Sequence, residues 1–185
     1  MDIVAQVLSI IAMTMNILSY QGKKQRTVFA FQLVGASFFA ISFFMLDAVT
    51  GAILNIIGII RALVFLNKDR LKADRPVWLA VFVATFIASY VLTFTLFGKE
   101  LTLPNFLIEL LPVAGMTLTT ISFQLKDAKS IRVFGLINSP LWLVYNVISL
   151  SIGGICCELI SFASAIIGYL RLDMKKRNKN DDTNA

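Results

Sequence analysis

The sequence predicts an all-α integral membrane protein with seven transmembrane helices, arranged as two parallel three-helix repeats joined by a linker helix. Three observations predict this fold: an apolar composition, seven long apolar runs, and a similarity between the two halves of the chain. Of the 185 residues, 57% are hydrophobic and 15% are charged, whereas a soluble domain usually carries about 25% charged residues. The chain therefore lacks the polar surface that a water-soluble globule needs.

Seven apolar runs are long enough to form membrane helices, because about 20 apolar residues cross a hydrocarbon core about 30 Å thick. The runs cover residues 3–20, 28–46, 49–67, 77–97, 104–124, 131–149 and 152–170. Charged or turn residues separate them. No basic region precedes the first run, so we expect it to be retained as a helix rather than cleaved as a signal peptide.

The basic residues alternate from loop to loop in a way that predicts the orientation of the chain. With the N-terminus outside, nearly all of them lie on the inner side, while Lys99 alone lies in an outer loop and Arg61 alone within a span. Cytoplasmic loops are enriched in Lys and Arg, so we expect an outer N-terminus and a cytoplasmic C-terminus. This topology accounts for the net charge of +6. The expected partner is therefore the lipid bilayer, and no nucleic-acid partner is expected.

A shift of 103 residues aligns the two halves of the chain without gaps. The most informative matches pair Met13-Thr14 with Met116-Thr117, Gln21 with Gln124, and Lys23 with Lys126. The copies begin four helices apart, so they share one orientation and are parallel repeats about an axis along the membrane normal. The predicted units are a first repeat (1–75), a linker helix (76–98), a second repeat (99–172) and a disordered cytoplasmic tail (173–185).

Several segments resemble known membrane protein families. Residues 123–130 (FQLKDAKS) and 138–146 (NSPLWLVYN) are similar to the PQ, KS and LW..Y elements of SWEET and PQ-loop transporters. More closely, residues 51–55 (GAILN), 109–115 (ELLPVAG) and 151–154 (SIGG) resemble the YgjV family of bacterial inner-membrane proteins, over nearly the whole chain. The resemblance implies an inner-membrane location and a SWEET-like 3+1+3 helix plan. It also implies the carriage of sugars, amino acids or similar small solutes.

The chain departs from the transporter pattern at one position in each copy. The proline of the PQ pair is replaced by Tyr20 and Phe123, while the glutamine is kept. The resemblance to the transporters implies that this proline acts as a hinge for alternating access. Its loss in this chain therefore argues against a rocking motion. Prolines within two later helices offer other places for a kink. The candidates for coupling or gating are therefore Gln21, Gln124, Pro112, Pro140 and, as a proton carrier, Glu158.

Polar and aromatic residues within the spans predict a solute site between the two copies, because polar groups in a membrane usually face the bundle interior. The SWEET resemblance implies an aromatic residue on the second helix and a polar residue on the third helix of each copy. An aromatic ring can cover the C–H surface of a sugar, and an amide can form hydrogen bonds with the hydroxyl groups of the sugar. This combination suits a polyhydroxy ligand. The predicted substrate-binding residues are Phe39, Asn55, Trp142, Asn146 and Glu158. Interhelical hydrogen bonding is the alternative for Asn55, and packing or interface anchoring is the alternative for Trp142.

Three ionisable residues within the spans have different expected roles. A carboxyl group at the middle of a bilayer favours its neutral form, so Glu158 suits either a proton-coupled step or a static polar contact. Glu109 lies nearer the outer surface, where we expect it to be hydrated. Arg61 lies near the inner end of its span, where its side chain can reach the interface; the alternative is a functional role.

These features predict a carrier of a small polar solute, such as a sugar, that works by alternating access and is coupled to protons. The alternative is a membrane partner or sensor that kept the transporter fold without transporting. Enzymatic activity, a metal and a cofactor are not expected, because the chain has no histidine and its two cysteines are adjacent. The sequence leaves open the solute, the direction of transport and the oligomeric state.

Overall fold

The computed structural model describes residues 2–19, 25–125 and 128–170, without the side chains of residues 19, 25–29, 68 and 128–132. Within this part of the chain all regular structure is helical, as predicted. The helices are α1 (Ile3–Ser19), α2 (Gln25–Met45), α3 (Val49–Leu66), α4 (Lys68–Leu71), α5 (Pro76–Thr95), α6 (Leu103–Gln124), α7 (Ala128–Ile148) and α8 (Ile152–Gly168). The predicted tail, residues 173–185, lies outside the described residues.

Seven of the helices coincide with the seven predicted apolar runs, and the eighth, α4, is a single turn in a predicted loop. Of the described helices, α3, α5 and α6 are long and apolar enough to cross a membrane, and α1, α2, α7 and α8 contain shorter apolar segments. Large apolar side chains such as Ile60, Ile137 and Ile167 are exposed on the outer surface. That exposure is typical of side chains that face lipid rather than water.

Local sequence explains where several helices begin. Pro76 opens α5, because its fixed φ suits the first helical position and its missing N–H has no partner there. The side chains of Thr102 and Ser151 accept hydrogen bonds from the backbone N–H groups of Asn105 and Gly154, which caps α6 and α8. These caps fix the loops that precede the two helices.

Six helices close a ring by contacting one another in succession. The order around the ring is α1, α2, α3, α6, α7, α8 and back to α1. Helix α5 packs against α3 and α6 and contributes no residue to the space inside the ring. In this order α3 and α8 stand on opposite sides of that space, so their side chains face each other across it.

The helix bounds follow the 103-residue repeat closely. The same shift carries the first and last residues of α2 onto those of α7, and the first residue of α3 onto that of α8. It also carries Asp47 onto Leu150, and both residues have left-handed backbone, with φ of 55° and 54°. This conformation is unusual for a leucine, so the two turns share a special geometry as well as a position.

Candidate functional site

A cavity of about 550 Å³ lies inside the ring and is lined by residues from all six of its helices. This volume is within the range of roughly 300–1,000 Å³ that small-molecule sites occupy. The five predicted substrate-binding residues all contribute to its wall: Phe39, Asn55, Trp142, Asn146 and Glu158. The structure therefore brings these five residues together, whereas their binding of a solute stays a prediction.

Aromatic side chains form one part of the cavity wall. The rings of Phe39 and Phe43 stack with centroids 5.9 Å apart, and the rings of Phe43 and Trp142 are 6.3 Å apart. Trp142 also fits closely against Gly115, where an added Cβ would come within 2.6 Å of the indole Nε1. A side chain at position 115 would therefore collide with the indole ring, so the glycine is what allows this close contact between α6 and α7.

The amide of Asn55 does not join two helices in this structure. Its Nδ2 donates to the carbonyl of Gly51 in the same helix, at 2.8 Å. The alternative that assigned Asn55 to interhelical bonding therefore has no hydrogen bond to support it among the described residues. Asn55 is half-buried and faces the cavity.

Glu158 lies on α8 and faces the cavity rather than lipid or a dry contact. Its carboxyl group interacts with the hydroxyl of Ser139, which also lines the cavity. The surrounding wall includes Ser161 and Asn146.

Three buried polar atoms have no hydrogen-bond partner among the described residues: Arg61 Nε, Asn138 Oδ1 and Asn146 Oδ1. All three belong to residues that line the cavity. Buried polar groups are paired in the great majority of cases, so three unpaired atoms around one cavity mark this part of the wall as the candidate site. Asn146 Oδ1 lies against Gly154, where an added side chain would collide with it.

Of the two interpretations of Arg61, the one in which its side chain reaches the interface is not what the structure shows. Arg61 is 7% exposed and reaches across to α6, where its Nη1 donates to Met116 O at 3.2 Å and to Thr120 Oγ1 at 3.0 Å. Its guanidinium carbon lies 5.0 Å from the centre of the Phe123 ring. The neighbouring helix offers acceptors and a ring face, so the cation is held inside instead of extending to the surface.

The predicted hydration of Glu109 is also wrong. Glu109 is 1% exposed and forms an ion pair with Lys99. Its other oxygen accepts a hydrogen bond from the Tyr145 hydroxyl at 3.3 Å, and that hydroxyl accepts one from the backbone N–H of Gly51 at 3.0 Å. Lys99, the basic residue of the predicted outer loop, supplies the charge that makes this burial possible.

A second set of polar contacts joins α1 to the start of α8. Gln6 donates from Nε2 to Leu150 O at 2.7 Å and accepts at Oε1 from the N–H of Ile152 at 2.9 Å. Ser9 accepts from the N–H of Gly153 at 3.1 Å. Together with the Lys99–Glu109–Tyr145 chain, these contacts form what we call the closed end of the ring, where α1, α3, α6 and α8 begin.

Of the candidates for coupling or gating, Glu158 lines the cavity, and the other described ones lie apart from it. Pro112 and Pro140 lie inside α6 and α7, and Gln124 donates to the carbonyl of Arg75 at 3.2 Å, beside the start of α5. None of these three residues contributes to the cavity wall. Gln21 lies outside the described residues.

Comparison with known proteins identifies one family. The family model of Imp-YgjV, described as a bacterial inner membrane protein, matches residues 3–176. No curated protein and no solved structure gives a significant match.

Proposed function

The chain belongs to the Imp-YgjV family of bacterial inner membrane proteins, and we propose that it carries a small polar solute across that membrane by alternating access. The observation that supports this most directly is the cavity: a ring of apolar helices encloses about 550 Å³ of space, and buried polar atoms in its wall have no partner among the described residues. Polar groups inside a membrane are costly and usually functional. A solute that fills the space would give these atoms partners.

The proposal includes a seven-span architecture of two parallel three-helix units, α1–α3 and α6–α8, with α5 as the linker. Two observations support it. The helix bounds repeat with the sequence shift of 103 residues, and the two contacts that join the units, α1 with α8 and α3 with α6, are equivalent under that shift. Alternating access in such a protein is a rocking of the two units around a site between them.

The proposed orientation places the N-terminus outside and the C-terminus in the cytoplasm. The connection between α3 and α5 contains four basic residues: Lys68, Arg70, Lys72 and Arg75. Because cytoplasmic loops are enriched in Lys and Arg, we expect this connection on the cytoplasmic side. The closed end, with Gln6 and Glu109, then faces outward. In this orientation the structure corresponds to a state sealed on its outer side.

Within the proposed carrier, the wall of the cavity suits a sugar or another small polar metabolite. Phe39 and Trp142 offer ring faces for C–H surface, while Asn55 and Asn146 offer amides for hydroxyl groups. Glu158 would take up and release the coupling proton, because a carboxyl group in a membrane interior is readily neutral.

Uptake into proteoliposomes tests the proposal directly. We expect an inward proton gradient to accelerate uptake of at least one member of a panel of sugars, amino acids and small organic acids. Glu158→Gln should abolish the effect of the gradient, since an amide cannot take up and release the coupling proton. Glu100→Gln makes the same change at an exposed site outside the cavity and should leave uptake unaltered.

A membrane sensor or partner without transport is the second candidate. It is favoured by the aromatic residue at position 123, where the PQ transporters have a hinge proline. Phe123 packs against Arg61 and, with ring centroids 5.7 Å apart, against Phe65, which ties α6 to α3. Absence of uptake for every solute in the panel, together with stable capture of one membrane protein, would exclude the carrier and support this candidate.

A further inference from the structure

We propose that the solute carries a carboxylate group and that Arg61 is the residue that binds it. This inference rests on the proposed function of the cavity, because it names the substrate class of the same site. The sequence suggested a polyhydroxy ligand, and for Arg61 it left open reach toward the interface or a functional role. The position of the guanidinium in the structure bears on both points.

The guanidinium of Arg61 is held in one orientation by α6. Nη1 makes both of its hydrogen bonds, to Met116 O and Thr120 Oγ1, and the Phe123 ring covers one face. Thr120 is itself fixed, since its hydroxyl donates to Met116 O at 2.7 Å. A cation positioned in advance loses little conformational freedom when it binds an anion.

One edge of this guanidinium has no partner. Of its five N–H groups, the two on Nη1 are accounted for, while Nε is buried and neither Nε nor Nη2 bonds to a described residue. The N–H groups of an arginine fork match the two oxygens of a carboxylate, which accepts two parallel hydrogen bonds. The free edge of Arg61 therefore has the donors that a carboxylate needs, within the wall of the cavity.

The buried positive charge of Arg61 also favours the binding of an anion. The ion pair formed by the described residues is Lys99–Glu109, at the closed end, so no carboxylate of this part of the chain neutralises Arg61. A buried charge without a counter-ion is strongly unfavourable. A bound carboxylate would supply the missing negative charge and the missing acceptors together.

Glu158 limits how much negative charge the solute can carry. It lines the same cavity from α8, the helix opposite α3 in the ring. A second negative charge on the solute would face this carboxyl group rather than another cation. The unpaired amide oxygens of Asn138 and Asn146 add acceptors for a hydroxyl or amino group. The chemistry that fits is a small monocarboxylate with a neighbouring hydrogen-bond donor.

Thermal unfolding of the purified full chain in detergent provides the first test. The probes are sodium acetate, L-lactate and succinate, each against its uncharged amide: acetamide, lactamide and succinamide. We expect lactate to raise the unfolding temperature of the wild type and lactamide to have no effect. If no carboxylate stabilises the protein more than its amide does, the inference is wrong. This measurement needs no variant and is independent of any folding defect.

Variants then assign the binding to Arg61. Arg61→Gln should weaken lactate binding at least tenfold in calorimetric titration, and Arg61→Lys should weaken it less, since lysine keeps the charge but lacks the fork. Arg70→Gln removes the same charge from an exposed site on α4 and should bind lactate like the wild type. Unchanged affinity in a folded Arg61→Gln variant would overturn the assignment.

Uptake measurements separate this inference from the proposed function. Lactate binding that depends on Arg61, without uptake of any solute, would retain the carboxylate site and exclude the carrier. Uptake of a neutral sugar that Arg61→Gln does not reduce would retain the carrier and exclude the carboxylate site.

Discussion

At the closed end of the ring the buried polar side chains have partners, whereas around the cavity three of them keep one atom without a partner among the described residues. Gln6 and Glu109 each make two polar contacts across helices. Arg61 and Asn146, at similar burial, each keep an unpaired atom. Paired groups at one end fix the helices in place, and unpaired groups beside an open space are free to bind. Variants at the closed end should therefore reduce stability, while variants around the cavity should reduce function.

The largest loss of stability is expected where α1 and α8 approach most closely. A Cβ at Gly153 would collide with the backbone of Ser9, which cannot move aside like a flexible side chain, so Gly153→Ala should lower the free energy of unfolding by about 3 kcal/mol. Titration with SDS in mixed micelles measures this change. Gly135→Ala is the matched control, because its Cβ would meet only Ala165 Cβ at 3.8 Å; it should stabilise by up to about 1 kcal/mol. Equal effects of the two variants would contradict the close contact.

The ion pair at the closed end should respond unequally to the loss of its two members. Lys99→Met leaves the carboxylate of Glu109 buried without its cation and should lower the free energy of unfolding by about 2 kcal/mol. Glu109→Gln keeps a group that can bond Tyr145 and leaves Lys99 partly exposed to solvent, so we expect a smaller loss. The double variant should be more stable than Lys99→Met alone. The reverse order of the two single variants would show that Glu109 is hydrated after all.

The contact between Gln6 and the start of α8 is expected to have a smaller effect. Gln6→Ala removes two hydrogen bonds and should lower the free energy of unfolding by about 1–2 kcal/mol. Thr14→Ala removes an exposed hydroxyl that bonds only within its own helix, to Ile10 O, and serves as the control with little change. If both variants unfold alike, the α1–α8 contact contributes less than its geometry indicates.

The smallest change in stability is expected at the cavity. Asn146→Leu replaces an amide whose oxygen has no partner in the described part of the chain, so the free energy of unfolding should change by less than about 1 kcal/mol. Uptake of the solute found in the proteoliposome panel should nevertheless fall strongly. A large loss of stability with normal uptake would assign Asn146 to the closed end rather than to the cavity.

The sequence predicted the helices well because hydropathy and charge are local properties. The predicted run 104–124 differs from α6, Leu103–Gln124, by one residue at its start, and the run 152–170 begins where α8 begins. The short helix α4 was missed, since a single turn of four residues carries no periodic pattern. Under the 103-residue shift the bounds of α2 fall on those of α7, whereas those of α1 do not fall on those of α6.

The contacts made by residues of the candidate site could be predicted from the sequence only in part. The resemblance to SWEET transporters, carried over by position in each repeat, singled out Phe39, Asn55 and Trp142, and all three line one cavity. The environments of Glu109 and Arg61 depended on partners in other helices, and Arg61 is held by a backbone carbonyl and a hydroxyl on α6. No charge pattern in the sequence identifies such acceptors, so only the tertiary arrangement could show them.

The place of α5 outside the ring has a mechanical consequence. Helix α5 touches both α3 and α6, so it braces the contact between these two helices from the side, whereas the contact of α1 with α8 depends on their own residues. Of the two contacts that connect the units, the one between α3 and α6 is supported by α5, and the one between α1 and α8 is not. We therefore expect any rotation of the units to pivot near α5 and to open the contact between α1 and α8. If the two units move, the displacement will be largest along the line of Gln6, Ser9 and Gly153.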